Sequence, residues 1–493
     1  MDSTISKTDF LLWRECSKNA WLKKHKPHIF YERELTDFEK AIIETGNEVE
    51  TEARKLYPTG VLVEGRDETA QAKTQELIRD KEKTLFQPVF KKDGFLAAVD
   101  VLQYDKATNS YSIYEIKASN ETKKDWHPHD LAFQTILLRK CGLKVKNSYI
   151  LRLNPEYKRQ GELDLVKLFI ADDLTDTIET LIPQIEAEME LAKIQLAEPK
   201  EKPGCDCIYK TRSNHCTTFA YSNPKIPEYG VHDISRIGKN KLISLVDSGI
   251  FLLENVPEDF ELSENQRNQV NMSVMPRPII RVDLIREEMD KIAYPIYFLD
   301  YETFACAIPR FDGFGPYQHI PFQYSLHTLE EPGTELIHKE FLHTTPDDPS
   351  PAFAKSLQDN IGDKGTVIVW YKPFECGRNR ELAQRLPSFR GFLDGIEARV
   401  YDLRDIFTKQ YYVHKDFQGS TSIKYILPIL APHLSYKELV IREGGTASQK
   451  WNEMVADTAP EADKDEIATN LLKYCELDTY AMYAIWKHLD ELS

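Results

Sequence analysis

An α/β protein of more than one domain is the fold class this sequence predicts, and three observations carry the prediction. At 493 residues the chain is longer than one ordinary hydrophobic core fills. Its N-terminal half runs in the order helix, strands, helix, strand, and a second run of buried-looking strands and helices opens at YPIYFLDYETF, residues 294–304. Hydrophobic residues at 41% and charged residues at 29% are the balance of a folded chain rather than a disordered one.

Residues 1 to about 60 read as helical. In DFEKAIIETGNEVETEARKLY (37–57), Phe38, Ile42, Ile43, Val49, Ala53 and Leu56 recur at roughly helical spacing, with Gly46 as an interruption. From about residue 85 the period changes to two. TLFQPVFKKDGFLAAVDVLQY (84–104) is strand-like, YDKATNSY is a polar turn, and SIYEIKAS (112–119) is the next strand. DLAFQTILLRKCGL predicts an amphipathic helix ending at Gly142, and NSYILRLN a buried strand. FAYSNPKIPEYG (219–230) is punctuated by Pro and Gly, and the helical stretch 234–270 breaks at Gly249. Two short helices around a glycine suit a spacer or a contact with a nucleic-acid backbone. In the second α/β run, FQYSLHTL and TVIVWYKPFE are strand-like, ELAQRLPSFRGFL is a helix, and ATNLLKYCELDTYAMYAIWKHL is a C-terminal amphipathic helix. The expected division is 1–217, a helical linker over 218–292, and 293–493.

No apolar run approaches the ~20 residues that cross a bilayer, and the N-terminus lacks the basic-then-apolar order of an export signal, so no membrane partner and a cytoplasmic location are expected. A net charge of −16 argues against a broad basic coat for nucleic acid but leaves room for a local cleft, since a metal-holding nuclease needs carboxylates at its centre. Eight cysteines are too few for a disulfide framework, yet Cys205, Cys207 and Cys216 crowd together. With His215 they have the donor types of a zinc site.

Two carboxylate groupings carry chemistry. AAVDVLQ and IYEIKAS pair as a hairpin, with Asp100 on the first strand and Glu115 and Lys117 on the second. Residues two apart on a strand share a face, so Glu115 and Lys117 project together and Asp100 reaches them across the hairpin. Two carboxylates hold Mg²⁺ or Mn²⁺ through oxygen, and a lysine beside them steadies developing negative charge on a phosphate. In the second grouping Asp300 and Glu302 share a strand face, Glu375 follows an apolar strand where a helix begins, and Tyr474 and Asp478 are four apart on one helix. Four carboxylates converging there suit a pair of metals flanking a scissile phosphate, with Tyr474 orienting the attacking water.

The motif VD…YEIKAS resembles the PD-(D/E)xK nucleases, a restriction-endonuclease-like fold, and its surroundings resemble their RecB-like branch over roughly residues 1–217. That resemblance implies a metal ligand at Glu50, where the branch carries histidine four residues after Gly46. It also implies a site residue at Gln134, followed here by Leu138 where tyrosine is usual. It further implies a [4Fe–4S] cluster on Cys16, Cys205, Cys207 and Cys216, as in nucleases of the CRISPR-adaptation and AddB type; the zinc site remains the rival. The second grouping resembles the DEDDy 3′→5′ exonucleases of RNase H-like fold, with Asp300 and Glu302 as DxE and Tyr474 and Asp478 as YxxxD. Glu375 stands where that branch has Phe-Asp, and Asp402 is an alternative ligand. The whole resembles an uncharacterised bacterial family joining the two nuclease types. Its implied activity is metal-dependent hydrolysis of DNA, single-stranded or at ends, in repair or antiviral defence. RNA as substrate, or nucleic-acid binding at degenerate sites, are the alternatives.

Overall fold

The computed structural model describes residues 4–456 and 460–492 as a mixed α/β chain. The first three residues of the segment read as helical, 1–3, lie outside them. The chain divides into two compact units: residues up to Ile226 with Cys306–Gln318, and Pro227–Ala305 with His319 onward. The stretch read as a linker over 218–292 is thus divided at Pro227.

In the first unit, a two-residue strand Ile5–Ser6 leads into helices Lys7–Glu15, Ser17–His25 and Asp37–Arg54, and the remaining strands follow these. Ser6 and Thr36 open the first and third with reciprocal side-chain caps to Asp9 and Glu39, satisfying backbone N–H groups that a helix start leaves bare. Helix Asp37–Arg54 runs unbroken through Gly46, contrary to the expected interruption. A mid-helix glycine costs about 1 kcal/mol relative to alanine, which packing of Val49 and Ala53 in the core offsets.

The long strand-like run divides into Thr84–Phe86, Val89–Lys92, Phe95–Ala98 and Val101–Asp105. Pro88 lacks an N–H for the ladder, Gln87 takes φ +52°, and Asp93-Gly94 makes a turn with both φ positive. These strands feed two sheets. Val101–Asp105, Ser110–Lys117 and Val145–Leu153 are central in a six-stranded mixed sheet, whereas Val89–Lys92 and Phe95–Ala98 form a small one with Ile5–Ser6. Helix His127–Lys140 packs on the core with Phe133 against Phe10 and Phe95, ring centroids 4.9 and 5.8 Å away.

The second unit is built on a five-stranded sheet ordered Ile337–Leu342, His319–Leu329, Ile296–Ala305, Thr366–Val369, Val400–Asp402. The first three strands are antiparallel and the last two join in parallel. Helix Glu461–Leu492 lies against the sheet, and Gln323 Nε2 donates to Leu471 O at 2.9 Å to fix it. The run expected as one helix over 381–393 is two, Lys372–Arg385 and Arg390–Glu397, because Pro387 can neither donate an N–H nor avoid the preceding turn. Helix Lys239–Asp247 ends before Gly249 at φ +70°, the left-handed conformation that closes a helix with little strain in glycine. Among the described residues no helix is long and apolar enough to cross a membrane.

Candidate functional site

Three groups of side chains place ligand atoms within 4.8 Å of one another among the described residues: Asp300, Glu302 and Asp478; Cys16, Cys205, Cys207 and Cys216; and His327, His338 and Glu476. Glu50, Asp100 and Glu115 do not form such a group.

Asp100 sits in the bend between strands Phe95–Ala98 and Val101–Asp105 rather than within a strand, half-buried. One carboxylate oxygen accepts the Ile116 amide at 2.8 Å, anchoring it beside the next strand, and the other accepts Gln87 Nε2 at 3.0 Å. Gln87 also donates to Glu50 at 2.5 Å, so a side-chain amide bridges the two carboxylates. Burial, then the like charge of Glu115, pushes the Asp100 carboxyl up to about 7.

Glu115 is 3% exposed. Its Oε1 accepts Lys117 Nζ at 2.7 Å and Lys7 Nζ at 2.8 Å, and its Oε2 accepts Gln134 Nε2 at 2.7 Å. Burial opposes ionisation, but the two ammoniums overcome it and hold the carboxyl well below the usual range. Lys117 also bonds Asp130 at 2.8 Å, and Gln134 donates to Asp130 at 2.8 Å. The structure therefore brings Asp100, Glu115, Lys117 and Gln134 together, with Glu50 joined through Gln87, and places Leu138 in the core. Sequence reading missed Lys7, Gln87 and Asp130. Asp130 was findable, being four residues before Gln134 on one helix face. Lys7 had no local signal.

Asp300 and Glu302 project from strand Ile296–Ala305, and Asp478 from helix Glu461–Leu492. Glu302 and Asp478 are buried and Asp300 half-buried. None of the three forms a salt bridge among the described residues; Lys424 is a nearby positive charge that steadies Glu302 and Asp478. Burial, then mutual repulsion, raises Asp300 and Glu302 well above the carboxylate range. Burial raises Asp478 to about 6, opposed by a 2.5 Å hydrogen bond from the Tyr436 hydroxyl and another from Tyr474. Three carboxylates so placed ionise together only beside a cation. The chemistry of the donors, all oxygen, fits Mg²⁺ or Mn²⁺.

Glu375 is buried in the first turn of helix Lys372–Arg385, outside this triad but near enough to repel Asp300 and Glu302. Burial, then Asp402, pushes it up to about 8, and its Oε2 has no hydrogen-bond partner among the described residues. Asp402 is committed locally: it accepts the backbone amides of Lys372 at 2.9 Å and Arg404 at 3.1 Å. In the same unit a groove of about 1110 Å³ is lined by Trp370, Tyr371, Tyr412, Arg236, Arg404 and Lys415, among others. Sequence reading missed Tyr436, in the short turn Tyr436–Glu438, and Lys424, on helix Ile423–Leu430, as members of this site.

Cys16 is both the last cap of helix Lys7–Glu15 and the first of Ser17–His25, and its sulfur accepts the Asn19 amide. It meets Cys205, Cys207 and Cys216 beside Phe219. Cys205 and Cys216 sulfurs are 3.9 Å apart, and Asn223 Nδ2 donates to Cys205 at 3.2 Å. His215, offered above as a zinc ligand, is not in this group. Its Nε2 lies 3.0 Å from Lys210 O and its ring stacks on Phe219, so Cys16 would be the fourth donor to a bound ion instead. Four thiolates at zinc, about 2.3 Å from the ion, stand about 3.8 Å apart, so the observed spacing fits one tetrahedral ion.

Two curated proteins are similar to part of this chain. One is an "Uncharacterized protein MG366 homolog" of Mycoplasma pneumoniae, 26% identical over 207 residues, 38% of this chain and 31% of that protein. The other is "Uncharacterized protein MG366" of Mycoplasma genitalium, 25% identical over 215 residues, 40% of this chain and 32% of that protein. The chain thus spans about a third of the length of these curated relatives. Residues 297–422, which include Asp300, Glu302 and Glu375 but neither Tyr474 nor Asp478, match the family described as "Domain of unknown function (DUF2779)".

Proposed function

We propose that this protein is a metal-dependent nuclease hydrolysing phosphodiester bonds in DNA. One site is centred on Asp100, Glu115 and Lys117, and a second on Asp300, Glu302 and Asp478. The observation that carries the reading is the second triad: three carboxylates with oxygens within 4.8 Å, largely buried and without a salt-bridge partner among the described residues. Its resemblance to the DEDDy exonucleases, and that of the first site to the RecB-like nucleases, supply the reaction class. The aromatic and cationic lining of the groove in the second unit supports a single strand as substrate, since bases stack on aromatic faces and phosphates pair with Arg and Lys.

A divalent ion, when bound, lowers the pKa of water and neutralises phosphate charge. Asp300, Glu302 and Asp478 would hold it, and Tyr436 and Tyr474 fix Asp478 by hydroxyl donation. Near neutral pH Glu375 stays largely protonated, which leaves it a hydrogen-bond donor rather than a fourth negative wall. At the first site Glu115 Oε1 already accepts two lysines and Oε2 an amide, so an ion there requires both lysines to leave Oε1 or Gln134 to leave Oε2. Lys117 then remains tethered to Asp130, positioned to face a phosphate.

The four cysteines hold a thiolate-bound metal in this reading. Their spacing favours one zinc, and the RecB-like resemblance favours a [4Fe–4S] cluster, for which the sulfurs would move apart.

The test is degradation of end-labelled single-stranded DNA and matched RNA by the full chain with Mg²⁺ or Mn²⁺. Wild type shortens the DNA, and the doubly substituted Asp100→Ala, Asp300→Ala protein does not. Equal rates in the two proteins reject both site assignments, and preferential loss of the RNA moves the substrate class to RNA.

A further inference from the structure

A third cluster draws on the same sheet and helix as the carboxylate triad, from residues given no role in the motifs read above: His327 falls within FQYSLHTL and Glu476 between Tyr474 and Asp478. His327 on strand His319–Leu329 and His338 on the edge strand Ile337–Leu342 are directly opposite in an antiparallel register. Their rings stack at 4.4 Å, with 24° between the planes. Glu476 reaches toward them from helix Glu461–Leu492, its Oε1 3.9 Å from His338 Nδ1.

The hydrogen bonds behind the rings decide what the facing nitrogens present. The Thr479 hydroxyl is 3.1 Å from the backbone carbonyl of Glu476, which can only accept, so the Thr479 proton goes there. Thr479 Oγ1 is then an acceptor for His327 Nδ1 at 2.8 Å and for Ser325 Oγ at 2.7 Å. With the Ser325 proton given to Thr479, Ser325 Oγ accepts from His338 Nε2 at 3.0 Å. This relay assigns the proton to Nδ1 of His327 and to Nε2 of His338. It leaves a bare lone pair on His327 Nε2 and on His338 Nδ1, neither of which has a hydrogen-bond partner among the described residues. Two neutral imidazoles whose second nitrogens are held by fixed partners, next to a carboxylate, are the arrangement that metal-binding histidines require.

We propose that His327 Nε2, His338 Nδ1 and Glu476 form a binding site for a zinc-class transition ion, separate from the two nuclease sites and from the cysteine cluster. Two imidazoles and one carboxylate select such an ion over Mg²⁺, which takes an all-oxygen shell. Ligands about 2.0–2.1 Å from zinc stand about 3.4 Å apart. One ligand atom of each residue lies within 4.8 Å of the others, and His338 Nδ1 is 3.9 Å from Glu476 Oε1, so binding would draw the donors together by a modest shift of the rings and of the open Glu476 side chain. His327 is 4% exposed whereas Glu476 is open, so the ion enters from the solvent side and water completes its shell. Glu476 precedes Asp478 by two residues on one helix. The ion therefore ties the helix carrying Asp478 to the edge of the sheet carrying Asp300 and Glu302. It has a positioning role and touches no substrate.

The experiment is zinc stoichiometry by elemental analysis of the full chain, stripped with chelator, reloaded with zinc and dialysed. Wild type is compared with Glu476→Gln and His338→Asn, both at side chains with solvent access. The expected result is one equivalent fewer in each variant, and a smaller zinc-induced rise in Tm. Matching Tm values without zinc verify that both variants fold; should one not, the other decides the matter. Cobalt loaded in place of zinc should give a visible d–d band that each variant loses while thiolate-to-cobalt absorption persists. Equal stoichiometry and equal zinc-induced Tm shifts in all three proteins overturn the proposal. Because the readout is ion content, failure of the nuclease reading leaves it unaffected.

Discussion

Glu375→Gln should stabilise the protein, and by an amount that depends on pH in a calculable way. Burial and the neighbouring Asp402 push the Glu375 carboxyl from 4.5 in the open chain to about 8 in the fold. Below pH 4.5 the group is neutral in both states and imposes no penalty. Between those values the unfolded chain ionises while the folded one does not, so the unfolded state binds fewer protons and wild-type stability falls as pH rises. Across the full window the loss is about 3.5 units at 1.36 kcal/mol each, or about 5 kcal/mol. Glutamine, isosteric and always neutral, removes that slope, so the variant's advantage grows from near zero at pH 4.5 to about 5 kcal/mol above pH 8. Urea unfolding of both proteins in chelator, at pH 5, 7 and 9, measures it. Curves that stay parallel across the series would refute the reasoning. Repeating the series with Mg²⁺ adds a second reading: recovery of wild-type stability at pH 9, absent in the variant, would make Glu375 a ligand of the ion.

Tyr436→Phe removes the hydroxyl that lowers the Asp478 pKa, so this carboxyl rises above about 6 and Mn²⁺ binding is half lost at a higher pH than in wild type. Manganese titrations followed by electron paramagnetic resonance at several pH values check it, and an unshifted midpoint contradicts it. For Cys16→Ser the expectation is loss of the metal held by Cys205, Cys207 and Cys216, seen as iron or zinc content in anaerobically prepared protein. Brown wild-type protein identifies the cluster, colourless zinc-bearing protein the single ion, and unchanged content in the variant removes Cys16 from the ligand set.

Legibility of the site in the sequence followed chain proximity. Glu115 and Lys117, or Asp300 and Glu302, are two apart on strands, where periodicity alone fixes a shared face. Asp478 was readable because a long amphipathic helix presents Tyr474 and Asp478 together. Lys7, Tyr436 and Lys424 were not, since each enters its site through tertiary packing that no local pattern encodes. His327 and His338 were hidden for a related reason: their pairing depends on a hairpin register, and each alone reads as an ordinary strand histidine. In the fold, helix and strand identities were readable over most of the chain. The misreadings fell at Gly46, tolerated because the core supports that helix, and at Pro88 and Pro387, whose missing amide protons cut elements that hydrophobic pattern had joined.

The cysteine group has a consequence for the order in which the first unit matures. Cys16 leaves the ribosome nearly 190 residues before Cys205, with Cys207 and Cys216 following. A metal joining them would close a loop whose entropy, by analogy with a covalent cross-link of that length, is worth about 5 kcal/mol. Until Cys216 has left the ribosome the clasp has no second half, and the helices on either side of Cys16 rest on packing alone. Metal insertion would then be a late event locking an assembled unit, and scarcity of the metal would leave nascent chains open at the seam, where proteases meet unfolding segments first.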